Sequence, residues 1–244
     1  DFPGLAGTGL KAHYAKPGHL DMYKNTVDPS AYWPHVTVPV MFINSSNDFH
    51  AAFDRVYQTM DLLKHENWRV SMNMHENHGP GAEQWIMLNK WFNLHLKGNN
   101  ERMPATPPST FNLNANEATF TVTPDNKQND LLEVEVYYSS NPNPITRFWK
   151  RIKTDNNGKT WQAKIAHHKK APLYTFALCR YKLGKEEETL SGKTSTYTLF
   201  SQEYSYVPDH FKIEDLKILA QDQEIFEDFS NDLQGWTWRH GNLN

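Results

Sequence analysis

Two short apolar runs organise the first part of this chain. Pro39-Val40-Met41-Phe42-Ile43-Asn44 and Trp68-Arg69-Val70-Ser71-Met72-Asn73-Met74 each read as a buried strand. Each leads into a loop and then into an amphipathic helix. Phe53, Val56, Tyr57, Met60 and Leu63 recur at helical spacing and predict a helix over about 51–66. A second helix is predicted from about Gly81 to Lys97, with Trp85, Leu88 and Phe92 on one face and Gly98 as its stop. Strands alternating with helices favour a parallel sheet covered on both faces. Residues 1–35 are rich in Gly, Pro and His. They read as loops with one short helix, ending in Asp28-Pro29-Ser30-Ala31-Tyr32-Trp33.

The period then changes. Residues 98–110 hold three prolines and no apolar repeat, the pattern of an extended linker. Beyond it, Leu132, Val134, Val136 and Tyr138 alternate with Glu133, Glu135 and Tyr137, and Trp161, Ala163 and Ile165 alternate with Gln162 and Lys164. Turn signals at Asn141-Pro142-Asn143-Pro144 and Asp155-Asn156-Asn157-Gly158 separate these runs. Short alternating strands at this spacing predict an antiparallel sandwich over 111–207. Residues 208–244 read as a tail that begins a further β module; Trp236 and Trp238 within it suit edge-strand packing or stacking on sugar rings. The fold class expected is therefore α/β in residues 1–97, followed by an antiparallel β-sandwich.

Composition narrows the function classes. The chain has 244 residues, 38% hydrophobic and 22% charged, with a formal net charge of -3. That is a globular composition, and it lacks the basic excess of nucleic-acid proteins. The apolar runs are too short to span a bilayer. No internal disulfide can form with one cysteine, Cys179, which sits in the apolar run Leu173–Cys179 and reads as a small core residue.

The chemistry-bearing residues lie on the loops after the two early strands. Asp48 follows the first strand and His78 follows the second. An acid and then a histidine, each on a loop after a strand, is the chain order of the last two members of an α/β-hydrolase triad. A G-x-S-x-G nucleophile motif is not found in these residues, so the serine is expected upstream of them. Asp48 also suits a helix cap for the segment that starts near Ala51. His75 rivals His78 as the base, since it lies nearer the strand end. Asp48, His50, His75 and His78 together could form a metal cluster, although their spacing differs from HExxH. No metal and no cofactor are expected. Trp33, with Tyr32 and His35, precedes the first strand and is expected to line the substrate cleft; His50 and His75 are expected to bind substrate.

The stretch from Asp28-Pro29-Ser30 through Val38–Phe49, His75-Glu76-Asn77-His78 and Trp91–Gly98 resembles the acetylxylan-esterase-like and dienelactone-hydrolase-like α/β-hydrolases. Val136–Ser140, Arg147-Phe148-Trp149, Trp161-Gln162-Ala163 and Ala171-Pro172-Leu173 are similar to the immunoglobulin-like domain appended to such proteins. The resemblance covers roughly 28–205. It implies a bacterial, secreted or periplasmic carboxylic ester hydrolase with a Ser-His-Asp triad acting on acylated carbohydrate. Two positions depart from the family pattern. Ser45 and Ser46 stand where a glycine is common before the acid, and the nucleophile elbow is not in this chain. The expected partners are accordingly an acylated carbohydrate or small ester substrate and a missing N-terminal hydrolase segment. A non-catalytic carbohydrate- or protein-binding module derived from a hydrolase is the alternative.

Overall fold

The computed structural model describes residues 16–98, 102–114, 116–127, 130–209 and 211–212. Most of the tail expected to begin a further module, including Trp236 and Trp238, lies outside the described residues. The short helix expected near the start is α1 (His19–Thr26), followed by two single 3-10 turns at Pro29–Ala31 and Trp33–His35. Asp28 starts the first turn, its carboxylate accepting from the Ser30 N–H.

Strand β1 (Val40–Ser45), helix α2 (Phe53–Met60), strand β2 (Trp68–Asn73) and helix α3 (Ala82–Leu96) follow in the predicted order. β1 and β2 pair in parallel, from Val40 opposite Trp68 to Ser45 opposite Asn73. Both strands therefore end level, and their following loops leave from the same edge. α2 buries Phe53, Val56, Tyr57 and Met60, as its spacing predicts. It stops at Met60 rather than near 66, because the chain tightens there into Leu62 N–H to Thr59 and Leu63 N–H to Met60 carbonyl bonds. The buried face of α3 is not the predicted one. Gln84, Ile86, Met87 and Trp91 point inward, whereas Phe92 is exposed. Trp85 is drawn outward by a hydrogen bond from its indole N–H to the Ser191 hydroxyl.

The remaining strands are β3 (Ser109–Leu113), β4 (Glu117–Val122), β5 (Leu131–Ser139), β6 (Lys150–Ile152), β7 (Asp155–Asn156), β8 (Trp161–Ala166), β9 (Leu173–Thr189), β10 (Gly192–Phe200) and β11 (Tyr204–Tyr206). They form two antiparallel sheets, β3-β4-β8-β7 and β10-β9-β5-β6, the second extended by β11 on β9. The sheets close over Phe120, Val122, Ile165, Val136, Cys179 and Leu199, all buried. Alternation of burial holds along β8 at Ala163 and Ile165, whereas along β5 burial is unbroken from Val134 to Tyr137. The expected inward position Leu132 is 54% exposed, because β5 carries an irregularity between Leu131 and Glu133 that takes Leu132 out of the ladder.

The five-stranded sheet is buried on its other face as well. Tyr137, Trp149, Tyr174, Phe176, Leu178 and Phe200 share a core with Phe53, Val56, Tyr57 and Met60 of α2 and with Val70 and Met72 of β2. This explains the unbroken burial of β9 from Leu173 to Cys179: with both faces covered, a strand reads as a continuous apolar run. Within the expected linker, residues 102–110 are docked, with the Arg69 Nε donating to the Pro104 carbonyl at 2.8 Å and Met103 buried. Antiparallel strand pairing dominates the described fold, and the parallel sheet has two strands among the described residues.

Candidate functional site

The level ends of β1 and β2 bring their loops together. Ser46 N–H donates to the Asn73 carbonyl at 2.9 Å, and Asn47 N–H donates to the Glu76 carbonyl at 3.0 Å. The Ser46 hydroxyl accepts from the His75 N–H at 2.8 Å and donates to the Asn47 side chain at 2.8 Å. The Ser45 hydroxyl donates to the Gly79 carbonyl at 2.7 Å. Ser45 and Ser46, which stand where a glycine is common in the resembling family, thus lace the two loops to each other. Nothing in the sequence pattern announces this role.

Asp48 and His78 meet across the laced loops. His78 Nδ1 lies 2.6 Å from Asp48 Oδ2, and the Asp48 side chain is 0% exposed while that of His78 is 56% exposed. The other carboxylate oxygen accepts from His50 N–H at 2.6 Å and Ala51 N–H at 2.8 Å. Asp48 therefore does both things its position suggests. It closes the turn ahead of α2, whose own cap residue is Ala52, and it grips the histidine. A carboxylate can only accept, so His78 donates from Nδ1 and its lone pair sits on Nε2. That is the tautomer a general base needs.

His75 is turned elsewhere. Its φ of 57° places it in the left-handed region, one that His tolerates better than most residues. Its Nε2 lies 2.9 Å from the Trp149 carbonyl, and its ring stacks on Phe148 at 5.4 Å. Burial pushes the imidazole below its ordinary value. His75 thus packs a loop onto the sandwich, while the hydrogen bond to Asp48 belongs to His78. Among the described residues no group of three or more His, Cys, Asp or Glu side chains is placed to hold a metal ion.

His50 stands beside the pair, its ring 5.3 Å from that of His78. Phe49 completes the group, 4.0 Å from His50 and 5.4 Å from His78, and 44% exposed. Sequence reasoning passed over Phe49, since an apolar residue next to Asp48 carries no signal of exposure. Trp33 lies 5.5 Å from Phe42 in the middle of β1, away from the strand end that carries Asp48. A depression of about 470 Å³ on the sandwich, lined by Glu133, Glu135, Arg151 and Lys153 among others, holds neither Asp48 nor His78.

No protein-family model matches the chain, and no curated protein matches it.

The sandwich reaches both loops of the pair. Asn47 Nδ2 donates to the Ile145 carbonyl at 3.1 Å and to the Arg147 carbonyl at 2.6 Å. The Ser191 hydroxyl donates to the Pro80 carbonyl at 2.8 Å. These contacts join residues about a hundred positions apart and have no signature in local spacing.

Proposed function

We propose that Asp48 and His78 are the acid and base of a serine-hydrolase triad that cleaves a carboxylic ester. What carries this reading is the 2.6 Å contact between a solvent-exposed imidazole and a buried carboxylate already fixed by two backbone N–H groups. The two loops follow adjacent parallel strands, in the acid-then-histidine order of an α/β-hydrolase. On this reading residues 1–97 are the C-terminal part of such a domain, and 111–207 are an immunoglobulin-like sandwich. The serine is supplied by residues outside these 244. The resemblance makes an acylated carbohydrate the substrate class and a bacterial cell's exterior or periplasm the place.

The steps follow from the geometry of the pair. His78 Nε2 takes the proton of the serine hydroxyl as the oxygen attacks the ester carbonyl. The buried Asp48 carboxylate stabilises the imidazolium and keeps the ring in one tautomer. The same proton then passes to the departing alcohol, and water repeats the cycle on the acyl-enzyme. Donors outside the pair stabilise the oxyanion.

Labelling of the parent protein with a fluorophosphonate tests this. One serine should react, and His78→Ala should slow that labelling roughly a thousand-fold. Unchanged labelling in His78→Ala would overturn the assignment of the base. The absence of any labelled serine in the parent protein would favour the alternative, a binding module built on a hydrolase frame.

A further inference from the structure

We propose that the tip of the β9–β10 hairpin, residues 189–192, is a positioning element for His78, with Ser191 as the positioning residue. The functional consequence rests on the assignment of His78 as the base; the structural one does not.

The first half of the loop that carries His78 is held by the β1 loop, and the stretch after His78 is held at Gly79, Pro80 and Gly81. Gly79 has a φ of 98°, a conformation that glycine adopts without cost. Pro80 has no N–H to donate. Gly81 is confined by close approach, since a Cβ there would meet Gln84 Oε1 at 2.9 Å. Two carbonyls between His78 and α3 are caught by serine hydroxyls from opposite sides. Ser45 at the end of β1 takes Gly79, and Ser191 on the sandwich takes Pro80.

Ser191 is itself prepared for this contact. It accepts from the Trp85 indole N–H at 3.0 Å, which leaves its own proton to point at Pro80. Its backbone N–H donates to the Thr189 hydroxyl at 3.2 Å, and that hydroxyl donates to the Gly192 carbonyl at 2.7 Å. Gly192 has a φ of 111°, which a larger residue would adopt only with strain.

The arm that carries the tip stands mostly beyond the sheet, with Leu183 packed against the sandwich core. β5 pairs with β9 from Tyr174 to Tyr181, the Lys182 N–H still donates to the Asp130 carbonyl, and further out β9 pairs with β10. The arm is largely exposed, rich in Lys and Glu at Lys185-Glu186-Glu187-Glu188. A register shift between Thr194 and Thr196 bends it, and bulges of this kind re-aim a strand. Thr196 lies in that bend and donates to Glu83 in the first turn of α3. The hairpin thus leaves the sandwich and ends on the loop and helix start that follow His78.

Ring nitrogen shifts of His78, measured by NMR on this chain at alkaline pH, test the proposal. Wild type should show the Nδ1–H tautomer that the Asp48 contact selects. Ser191→Ala should raise the Nε2–H fraction several-fold, and Ser191→Thr, which keeps the hydroxyl, should return it to the wild-type value. In the parent protein Ser191→Ala should lower kcat roughly tenfold with KM little changed, the signature of a misplaced base rather than of weakened binding. A His78 spectrum unchanged in Ser191→Ala would overturn the proposal. So would equal shifts in Ser191→Ala and Ser191→Thr, since the hydroxyl would then not be what holds the loop. Failure of the triad assignment shows differently, as parent-protein turnover that His78→Ala leaves intact.

Discussion

The two faces of the five-stranded sheet are both buried, but by different means. The inner face meets the four-stranded sheet through Val136, Ala177, Cys179 and Leu199, a largely apolar layer. The outer face meets α2 and β2 through aromatics interleaved with buried polar groups, while Ile86, Met87 and Trp91 of α3 join the apolar cluster. Phe53 stacks among Trp149 and Phe176, each 5.0 Å away. Beside them Ser71 meets Thr198 at 3.1 Å, with Gln84 donating to both. Arg147, with its side chain fully buried, pairs with Asp54 in a two-pronged contact and lies 3.4 Å from Glu203. Its guanidinium also sits 3.6 Å from the centre of the Tyr174 ring. An apolar layer holds two surfaces together without fixing how they slide; directional bonds fix the register. The outer face needs that register, because the loops bearing Asp48 and His78 are gripped from the sandwich at Ile145, Arg147 and Ser191.

Separating the two regions should have the largest effect. Residues 1–97 expressed alone lose the sheet that covers α2 and β2, and should show no cooperative hydrogen-exchange protection. Residues 102–209 alone should keep protection in β4, β8 and β9, yet expose Phe176 and Phe200 and self-associate. Cooperative protection of isolated 1–97 as a monomer would show that it carries a core of its own.

Removing Arg147 should come next. Arg147→Ala leaves the Asp54 carboxylate beside the Glu203 carboxyl without its cation. The expected loss is about 3–5 kcal/mol in urea unfolding, the usual cost of breaking a buried ion pair. A loss below about 1 kcal/mol, the range of surface pairs, would mean that the outer-face network is incidental.

The smallest effect is a matter of pH. Burial pushes the Glu203 carboxyl well above the ordinary glutamate value, with Asp54 adding to the rise and Arg147 opposing it. The folded protein holds a proton there that the unfolded chain has released. Stability from this group is full below the unfolded glutamate value and is lost as pH rises through the folded one. Glu203→Gln should therefore flatten the fall in melting temperature from acid to neutral pH. Parallel curves for wild type and variant would remove Glu203 from the account.

The sequence was most legible where chemistry follows local order. The strand–loop–helix repeat, the helical spacing of Phe53, Val56, Tyr57 and Met60, and the acid-then-histidine order all lie within short windows. The pairing of Asp48 with His78 could be expected from them, and the choice between His75 and His78 could not. That choice turns on the Trp149 carbonyl, 74 positions from His75 in sequence. The inward face of α3 was hidden for the same reason, since Trp85 faces outward to meet Ser191. Arg147 gave no sign of burial, because an arginine among turn residues reads as solvated until Asp54 is seen beside it. Leu132 misled through β5's irregular register, which alternation alone cannot foresee.

The central claim is that the buried Asp48 makes His78 a base. Ester hydrolysis by the parent protein, with wild type compared to His78→Ala and Asp48→Asn, tests it most directly. Both variants should lower kcat/KM for 4-nitrophenyl acetate by roughly a thousand-fold or more, with the double variant no worse than the single ones. Asp48→Asn activity within a few-fold of wild type would contradict the account, because the 2.6 Å contact would then be structural and nothing more.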